Sequence, residues 1–264
     1  MNVWAWVIPG LGSLCLCAAW ALLIARRTGI WAPHDLAVQI LGRAYARFLH
    51  DLRVEGREHI PQDPSPGPLI VVANHTAGVD PILVAAACQF DIRWVMAQDM
   101  RLPWLGWFWR WQEVIFVSRS GQDRGAVREA LAHLERGGVI GIFPEGGLER
   151  PARQIRRFRR GVGLLIHRSR APVLPVVIEG TPQVDPAWAS LWRRGRARVT
   201  AHEIVDYAES GLSGVEIADD LRRRYLDWTG WPANDRSQRE ADVTHPPRLD
   251  VLDEAVEDAR ENAA

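Results

Sequence analysis

The run of five apolar residues Leu69–Ala73 most constrains the fold of this chain, because a polar turn, Asn-His-Thr-Ala-Gly-Val-Asp-Pro at 74–81, follows it at once. A short apolar run bounded by turn residues predicts a buried strand, and residues 82–88 predict the start of a helix. His75 therefore lies at the end of a strand. In α/β proteins, ligands and chemistry collect at the carboxyl ends of strands, where a rigid sheet holds loops open to solvent.

His75 and Asp80 are a candidate pair of general base and orienting carboxylate. On one continuous helix a step of five residues turns the chain by roughly 500°, so the two side chains would not share a face. A flexible turn at Gly78 would bring the Asp80 carboxylate back under the imidazole. Two structural alternatives remain open: Asp80 caps the following helix, with Pro81 at its first position, and His75 is a hydrogen-bonded loop histidine.

Composition favours one large domain or two small ones. The 264 residues are 47% hydrophobic, which is enough for a sizeable core, and the formal net charge is zero. A neutral chain gives no indication of nucleic acid as a partner. Every basic residue is arginine, which matches a compositional bias of the genome as well as a use in bidentate phosphate contacts.

Residues 3–25 carry no charge and end in Arg26-Arg27. A segment this long and apolar predicts a transmembrane helix, and the arginine pair predicts a cytoplasmic location for the rest of the chain by the positive-inside rule. A cleaved signal peptide is the rival, but the basic region that would precede its apolar core is missing. The predicted domains are a membrane anchor at 1–27, a globular domain at 28–232, and an acidic, disordered tail at 233–264.

Apolar runs alternate with helical patterns along the globular part, which predicts an α/β fold. We expect a single mixed-sheet domain flanked by helices and preceded by the transmembrane helix. Further strands are predicted at 53–56, 92–97, 114–117, 139–143, 173–178 and 197–205, the last of these being the final strand. Helices are predicted at 34–52, 124–136, 161–166 and 215–228. Pro175 indicates an edge strand or a bulge.

The segment Leu102–Trp111 contains four tryptophans and a phenylalanine. A buried core does not need that many indoles, each with a donor to satisfy, whereas a bilayer interface or an acyl-chain groove suits them. We therefore prefer contact with a membrane or lipid over the alternative, a packed aromatic cluster beneath a loop.

Two other predicted strands end next to charged residues. One leads to Arg119, whose planar fork could grip a phosphate, and the other leads to Glu145 and Gly146 in a turn whose amides could help to hold an anion. An arginine-rich stretch follows, where an anionic head group would be received at a helix start. Its members are Arg150, Arg153, Arg156, Arg157, Arg159 and Arg160. Ordinary turn and surface residues are the alternative.

Four blocks of this chain together resemble the membrane-associated glycerolipid acyltransferases typified by 1-acyl-glycerol-3-phosphate acyltransferase, the PlsC type. The family motifs are Asn-His-x4-Asp, an apolar strand ending in arginine, Phe-Pro-Glu-Gly with a later Phe-basic-Arg-Gly, and an apolar strand around a proline. The matching residues are 74–80, 115–119, 143–146 with 158–161, and 173–177. The first and third motifs in order are a specific signal, although each alone is weak.

The resemblance implies a mechanism in which His75, oriented by Asp80, takes the proton from a free hydroxyl of a lysophospholipid. That oxygen attacks the thioester carbonyl of acyl-CoA or acyl-carrier protein, which is a co-substrate, so neither a cofactor nor a metal is implied. The implied partners are the membrane bilayer, the lysophospholipid acceptor and the acyl donor. The implied acceptor-binding residues are Arg119, Glu145, Gly146, and Arg159 or Arg160.

One departure from the family concerns the acceptor. The family usually continues Phe-Pro-Glu-Gly with Thr or Ser, whereas this chain has Gly147, and the lost hydroxyl removes a hydrogen bond worth on the order of 1 kcal/mol. Lysophosphatidate is the default acceptor, and another lysolipid or amphiphile is an alternative. Two other classes also remain: a metal-dependent hydrolase with His75, Asp80 and Glu145 as ligands, and an inactive lipid-binding module.

Overall fold

A computed structural model describes residues 33–118, 124–150 and 152–235 of the chain. The predicted anchor at 1–27, Arg119 and most of the predicted tail lie outside these ranges. No helix within the described ranges is both long and apolar enough to cross a membrane.

Nine strands form two sheets in the described part of the chain. They are β1 (Arg53–Glu55), β2 (Leu69–Ala73), β3 (Arg93–Ala97), β4 (Ile115–Val117), β5 (Val139–Ile142), β6 (Ile155–Arg156), β7 (Val173–Glu179), β8 (Arg198–Ala201) and β9 (Ala233–Asn234). Seven form a central sheet in the order β1-β8-β7-β2-β5-β3-β4, while β6 pairs with β9. All pairs are parallel except β7 and β8. The predicted mixed α/β domain is confirmed.

Helices cover both faces of this sheet. They are α1 (Pro33–Leu49), α2 (Asp80–Ala87), α3 (Gly106–Trp111), α4 (Arg124–Glu135), α5 (Arg160–Ser169) and α6 (Gly214–Thr229). α1 and α2 pack on the face that carries Val71 and Ala73, whereas α4, α5 and α6 pack on the face that carries Ile70 and Val72. β2 is therefore buried on both faces, which explains why it is apolar at every position.

The directions of the strands place several loops at one edge of the sheet. β2, β3, β4, β5 and β7 run the same way, so their carboxyl ends lie together at what we call the carboxyl edge. β8 and β1 run the opposite way and begin at this edge. The end of α1, the segment before β8 and the turns after β2 and β5 therefore share one side of the domain.

Pro175 marks a bulge and not an edge strand. β7 lies inside the sheet, between β8 and β2. From the Val176–Ala201 pair to the Val173–Val205 bridge, β7 advances three residues while the other strand advances four. The extra residue interrupts the ladder opposite Pro175, so no hydrogen bond is lost to the missing N–H of proline. The edge-strand alternative is wrong, because β7 has a neighbour on both sides. The extra residue in the partner strand is what accommodates the proline.

The folded domain continues beyond the predicted boundary at residue 232. β9 pairs with β6, and Asn234 is buried. Arg222 of α6 donates to the carbonyls of Ile155 (3.2 Å) and Asn234 (3.4 Å), and it forms an ion pair with Asp235 at 2.8 Å. Residues 233–235 therefore belong to the domain and not to the tail, and β9, not β8, is the last strand described.

Candidate active site

A buried carboxylate holds the imidazole of His75. The Nδ1 atom of His75 lies 2.9 Å from Oδ2 of Asp80, and the same oxygen accepts the amide hydrogens of Thr76 (2.7 Å) and Ala77 (2.8 Å). Asp80 is fully buried, while the His75 side chain is 17% exposed. Because a carboxylate only accepts, Nδ1 carries a hydrogen, and in the neutral imidazole the free lone pair is then on Nε2.

Asp80 does not cap α2. The N-cap position belongs to Val79, and no side chain caps the helix. Asp80 is the first helical residue, and its carboxylate turns back toward the preceding loop, where two amides and the imidazole converge on one oxygen. The capping prediction is therefore wrong, whereas the predicted contact with His75 is present. Asp80 therefore fixes the loop that carries His75.

Two further contacts fix this loop from its sides. The Asn74 side chain donates to the carbonyl of Ile178 (2.9 Å) and accepts from its amide (2.7 Å), so it joins the end of β2 to β7. A β-carbon at Gly78 would lie 2.5 Å from the carbonyl oxygen of Ala187. Gly78 is therefore required by the close approach of the turn at Ala187–Trp192, a reason that local sequence does not show.

The imidazole of His75 is the first of three stacked aromatic rings. The His75 ring lies on Phe143 with centroids 3.9 Å apart and planes 16° apart, and Phe143 lies on Trp94 at 4.9 Å and 11°. Trp94 is paired with Gly141 in the sheet, where a β-carbon would lie 2.6 Å from the indole. Gly141 thus makes room for the indole. Sequence reasoning missed Trp94 because its partners are distant in the chain.

Glu145 stabilises the loop of His75 through a hydrogen bond to its backbone. Its Oε1 accepts the amide hydrogen of His75 at 3.2 Å, and the residue is 2% exposed. Burial, and next the carboxylate of Glu149, raise the pKa of Glu145 well above its ordinary value, which favours the neutral form. The predicted contact between Glu145 and a head group stays a prediction, since the observed partner of the side chain is the His75 backbone.

Gly146 and Arg159 are brought into direct contact. Gly146 has a φ of 71°, and a β-carbon there would lie 1.9 Å from Nε of Arg159. The amide of Arg159 also donates to the carbonyl of Pro144 at 2.8 Å. Arg160 is exposed and begins α5. The two predicted phosphate-binding arginines therefore lie at a helix start beside the glycine turn, as the sequence indicated.

A second buried carboxylate, Glu149, was missed as a site residue. It is fully buried, its Oε2 lies 2.7 Å from Nε of Arg156, and the Asn234 side chain donates to its Oε1. Its amide donates to the carbonyl of His75 at 2.8 Å. Glu149 therefore joins β6 and β9 to the catalytic loop. No local signal could reveal this, because Arg156 is one of several arginines and Asn234 lies far along the chain.

Arg150 also holds the loop. Its guanidinium donates to the carbonyl of Thr76 and to the side chain of Gln183 (3.2 Å), and its side chain is 16% exposed. The hydroxyl of Thr76 lies 2.7 Å from that of Thr181, which follows β7. Arg150, a member of the arginine-rich stretch, therefore stabilises the loop of His75 through these hydrogen bonds.

The residues of the hydrolase alternative do not converge as ligands. Oδ2 of Asp80 and Oε1 of Glu145 both accept backbone amide hydrogens. Across residues 33–118, 124–150 and 152–235, no group of three or more His, Cys, Asp or Glu side chains could hold a metal ion. His75 and Asp80 have the arrangement that a general base and its orienting carboxylate require.

The tryptophan-rich segment divides into buried and exposed parts. Trp109 is buried, its Nε1 donates to the carbonyl of Leu102 at 2.9 Å, and its ring lies 5.9 Å from that of Trp188. Trp104 and Trp107 are 73% and 62% exposed. Packing thus explains Trp109, while the two exposed indoles keep the predicted contact with lipid open.

The fold and the histidine held by a carboxylate at a strand end can now be compared with known proteins. Residues 51–179, just under half of the chain, match the family model described as Acyltransferase. The chain is therefore similar to acyltransferases of the PlsC type.

Two curated relatives are similar to this chain. An N-acylphosphatidylethanolamine synthase of Arabidopsis thaliana is 31% identical over 160 residues, which are 54% of this chain and 55% of that protein. The chloroplastic 1-acyl-sn-glycerol-3-phosphate acyltransferase BAT2 of Brassica napus is 21% identical over 175 residues, 65% of this chain and 48% of that protein. The chain spans about half the length of these relatives.

A solved structure shares the fold. The 1-acyl-sn-glycerophosphate (LPA) acyltransferase PlsC from Thermotoga maritima matches with a TM-score of 0.58 and 24% identity, covering 82% of this chain and 87% of that chain. At this identity the likeness shows the fold: a central mixed sheet flanked by helices.

Proposed function

We propose that this protein is an acyltransferase that moves an acyl chain from acyl-CoA or acyl-carrier protein to a free hydroxyl of a lysophospholipid, with 1-acyl-glycerol-3-phosphate as the default acceptor. The observation that carries the proposal is the 2.9 Å contact between Nδ1 of His75 and Oδ2 of Asp80 at the carboxyl edge. It leaves Nε2 as the proton acceptor that a hydroxyl nucleophile requires. The printed names of the Brassica and Thermotoga proteins support this acceptor class.

The proposed reaction is a direct transfer. Nε2 of His75 takes the hydroxyl proton while the oxygen attacks the thioester carbonyl, and the imidazolium is stabilised by the charge of Asp80. The tetrahedral intermediate then collapses, the C–S bond breaks, and His75 returns the proton to the leaving thiolate. The products are an ester and a thiol, and no covalent acyl-enzyme is needed.

The phosphate of the acceptor is proposed to bind beside the glycine turn. Arg159 lies against Gly146, and Arg160 begins α5, whose free amides favour an anion. Arg119 directly follows Ser118 after β4 and completes the proposed set from the sequence motif. We expect Arg119→Ala to raise the KM for a phosphate-bearing acceptor, with Arg136→Ala as an exposed control. An unchanged acceptor KM would remove Arg119 from the site.

A second acceptor class is favoured by one observation. The Arabidopsis relative is named for an N-acylated phosphatidylethanolamine, which points to an amine as acceptor. This chain also has Gly147 where the family usually supplies a hydroxyl for the head group. His75 could take a proton from an attacking amine in the same geometry. Phosphatidylethanolamine therefore belongs among the acceptors to be assayed.

The proposed location is a membrane, with residues 1–27 as a single-pass anchor. The acyltransferase domain would then lie on the cytoplasmic side, and the acidic tail would follow β9. The uncharged segment before Arg26-Arg27 supports the anchor, and the names of lipid acyltransferases among the relatives support a lipid substrate.

The proposed function is tested by acyl transfer in membranes that contain the full chain. Donors are acyl-CoA and acyl-carrier protein, and acceptors are a panel of lysolipids and phosphatidylethanolamine, with and without a chelator. We expect His75→Ala to abolish transfer and His167→Ala, an exposed histidine on α5, to keep it.

The other outcomes separate the alternatives. Transfer that survives His75→Ala would remove the proposed base. Inhibition by chelator with rescue by a metal ion would favour the hydrolase, and lysolipid binding without any turnover would favour the inactive module.

A further inference from the structure

The most exposed large apolar side chains of the described residues lie around the active site. Four of them are more than 60% exposed, and all four are aromatic: Phe48 (83%), Trp192 (80%), Trp104 (73%) and Trp107 (62%). Phe48 lies at the end of α1 and Trp192 lies just before β8, so both are at the carboxyl edge. The other two follow β3, which ends at this edge. The aromatic exposure is thus concentrated on the side that carries the His75 loop.

Exposed arginines lie beside two of these aromatic residues. Arg193, Arg194 and Arg196 follow Trp192, and none of the three has an ion pair within the described ranges. Phe48 shares the lining of a cavity of about 530 Å³ with Arg194 and Arg196. The acid in that lining, Asp51, lies 2.6 Å from the guanidinium of Arg47 and is neutralised by it. This part of the surface is therefore both aromatic and positively charged.

We propose that this surface docks the domain onto an anionic lipid bilayer. We call it the rim, and it consists of Phe48, Trp192, Arg193, Arg194 and Arg196. Aromatic rings favour the level of the lipid head groups, and arginines are attracted to anionic lipids. An acidic protein would also attract the arginines, but the two nearly fully exposed rings favour a bilayer. The proposal deepens the proposed function and rests on its lipid acceptor.

The rim is fixed rigidly to the catalytic loop. The hydroxyl of Tyr45 on α1 donates to the carbonyl of Leu191 at 2.6 Å, which joins the two parts of the rim. The same turn, Ala187–Trp192, comes so close to Gly78 that no β-carbon fits between them. Docking of the rim therefore places the loop of His75 near the head groups, where a lysolipid presents its free hydroxyl.

The test is amide hydrogen exchange of the full chain in nanodiscs. One set contains phosphatidylcholine alone and the other adds phosphatidylglycerol, so the predicted anchor can insert in both. We expect residues 187–196 to exchange more slowly in the anionic nanodiscs, and we expect salt to remove the difference. Arg193→Gln with Arg194→Gln should weaken docking about fivefold for each arginine. Trp192→Ser should also reduce the protection.

The matched control is Arg136→Gln with Arg168→Gln, because both arginines are exposed at the opposite edge of the sheet. It should keep the full protection. Equal exchange in the two nanodiscs, or a loss of protection in the control, would overturn the proposal. Protection that appears only when acyl-carrier protein is added would assign the rim to an acidic protein instead. Amide hydrogen exchange is measured without any acyl transfer. A failure of docking can therefore be distinguished from a failure of the proposed reaction.

Discussion

His75 has a carboxylate on its edge and an aromatic ring on its face. Asp80 contacts Nδ1 at 2.9 Å, and Phe143 lies under the ring at 3.9 Å between centroids. Both neighbours act more strongly on the imidazolium than on the neutral imidazole, through charge attraction and through the negative face of the ring. In the proposed reaction the imidazolium exists only after proton transfer, so these contacts lower the barrier rather than strengthen acceptor binding.

Replacement of Phe143 distinguishes an effect on the reaction barrier from an effect on acceptor binding. We expect Phe143→Leu to lower kcat about 5- to 30-fold, because a cation over an aromatic face is worth roughly 1–2 kcal/mol when partly desolvated, and to leave KM nearly unchanged. Phe143→Tyr keeps the ring and should keep most of the activity. Steady-state kinetics on both variants checks this. A rise in KM with an unchanged kcat would show that Phe143 contacts substrate instead.

Glu145 makes the stability of the folded domain depend on pH. Burial and Glu149 raise its pKa in the folded state above that in the unfolded chain, so its contribution to stability is fully present below the unfolded-state pKa. That contribution is lost as the pH rises through the folded-state pKa. Glu145→Gln cannot ionise, and it should gain stability relative to the wild type by about 1.4 kcal/mol per pH unit within that window.

Urea unfolding of both proteins at several pH values from acid to neutral measures this difference. Glutamine can still accept the amide hydrogen of His75, so the comparison isolates the ionisation. A difference in unfolding free energy that does not change with pH would contradict the raised pKa.

Single residues differ in how far the sequence predicts them. The contact between His75 and Asp80 was predictable because five residues separate them and a turn can close that distance. The contact between Asn234 and Glu149 joins residues 85 apart, and each is polar in a polar stretch. Burial of such a group depends on tertiary packing that no local pattern reports. The same reason hid the aromatic partner of Phe143, since the β3 and β5 pairing creates it.

Among the elements, those with an apolar run or a periodic pattern were predicted well, whereas the two shortest strands were not predicted. β2 has the bounds that its apolar run predicts, and α6 begins at Gly214 after a capping box between Ser213 and Glu216. β6 and β9 have two residues each, too few for any periodicity, and they are defined only by each other. α2 begins at Asp80, two residues before the predicted start at residue 82. The backbone of Asp80 is helical, although its side chain bonds to the preceding loop.

β9 supports an element-level prediction about chain ends. A chain that stops at Pro232 loses the Asn234 donor to Glu149 and the ion pair between Arg222 and Asp235. An unsatisfied buried polar group costs about 1–3 kcal/mol, and each kcal/mol lowers Tm by about 2–4 °C in a domain of this size. A chain that stops at Asp235 is the control and should melt like the full chain. Thermal unfolding of the three proteins measures this, and equal Tm values would contradict it.

At the level of the whole molecule, three parts of the chain are expected to contact the membrane: residues 1–27, the rim, and the exposed indoles of Trp104 and Trp107. Deleting residues 1–27 should release much of the protein from membranes, because this uncharged segment is long enough to span the bilayer. The exposed indoles and the rim should retain the remainder, so Trp104→Ser with Trp107→Ser in the deleted chain should reduce the bound fraction further.

Flotation with lipid vesicles measures both steps, with the double tryptophan variant of the full chain as the control that keeps the anchor. A deleted chain that floats as fully as the intact one, even without the two indoles, would contradict the anchor.

The contact between Asn234 and Glu149 also has a consequence for synthesis. The catalytic loop is made early, but its carbonyl at His75 is held by Glu149, whose buried carboxylate is completed only by a side chain near the end of the domain. While the chain is still on the ribosome, Glu149 lacks the Asn234 donor until residue 234 has left the exit tunnel, so we expect the loop to be held incompletely until then. The contacts that hold the loop of His75 are therefore complete only after residue 234 has been made, although residues 74–80 are made much earlier.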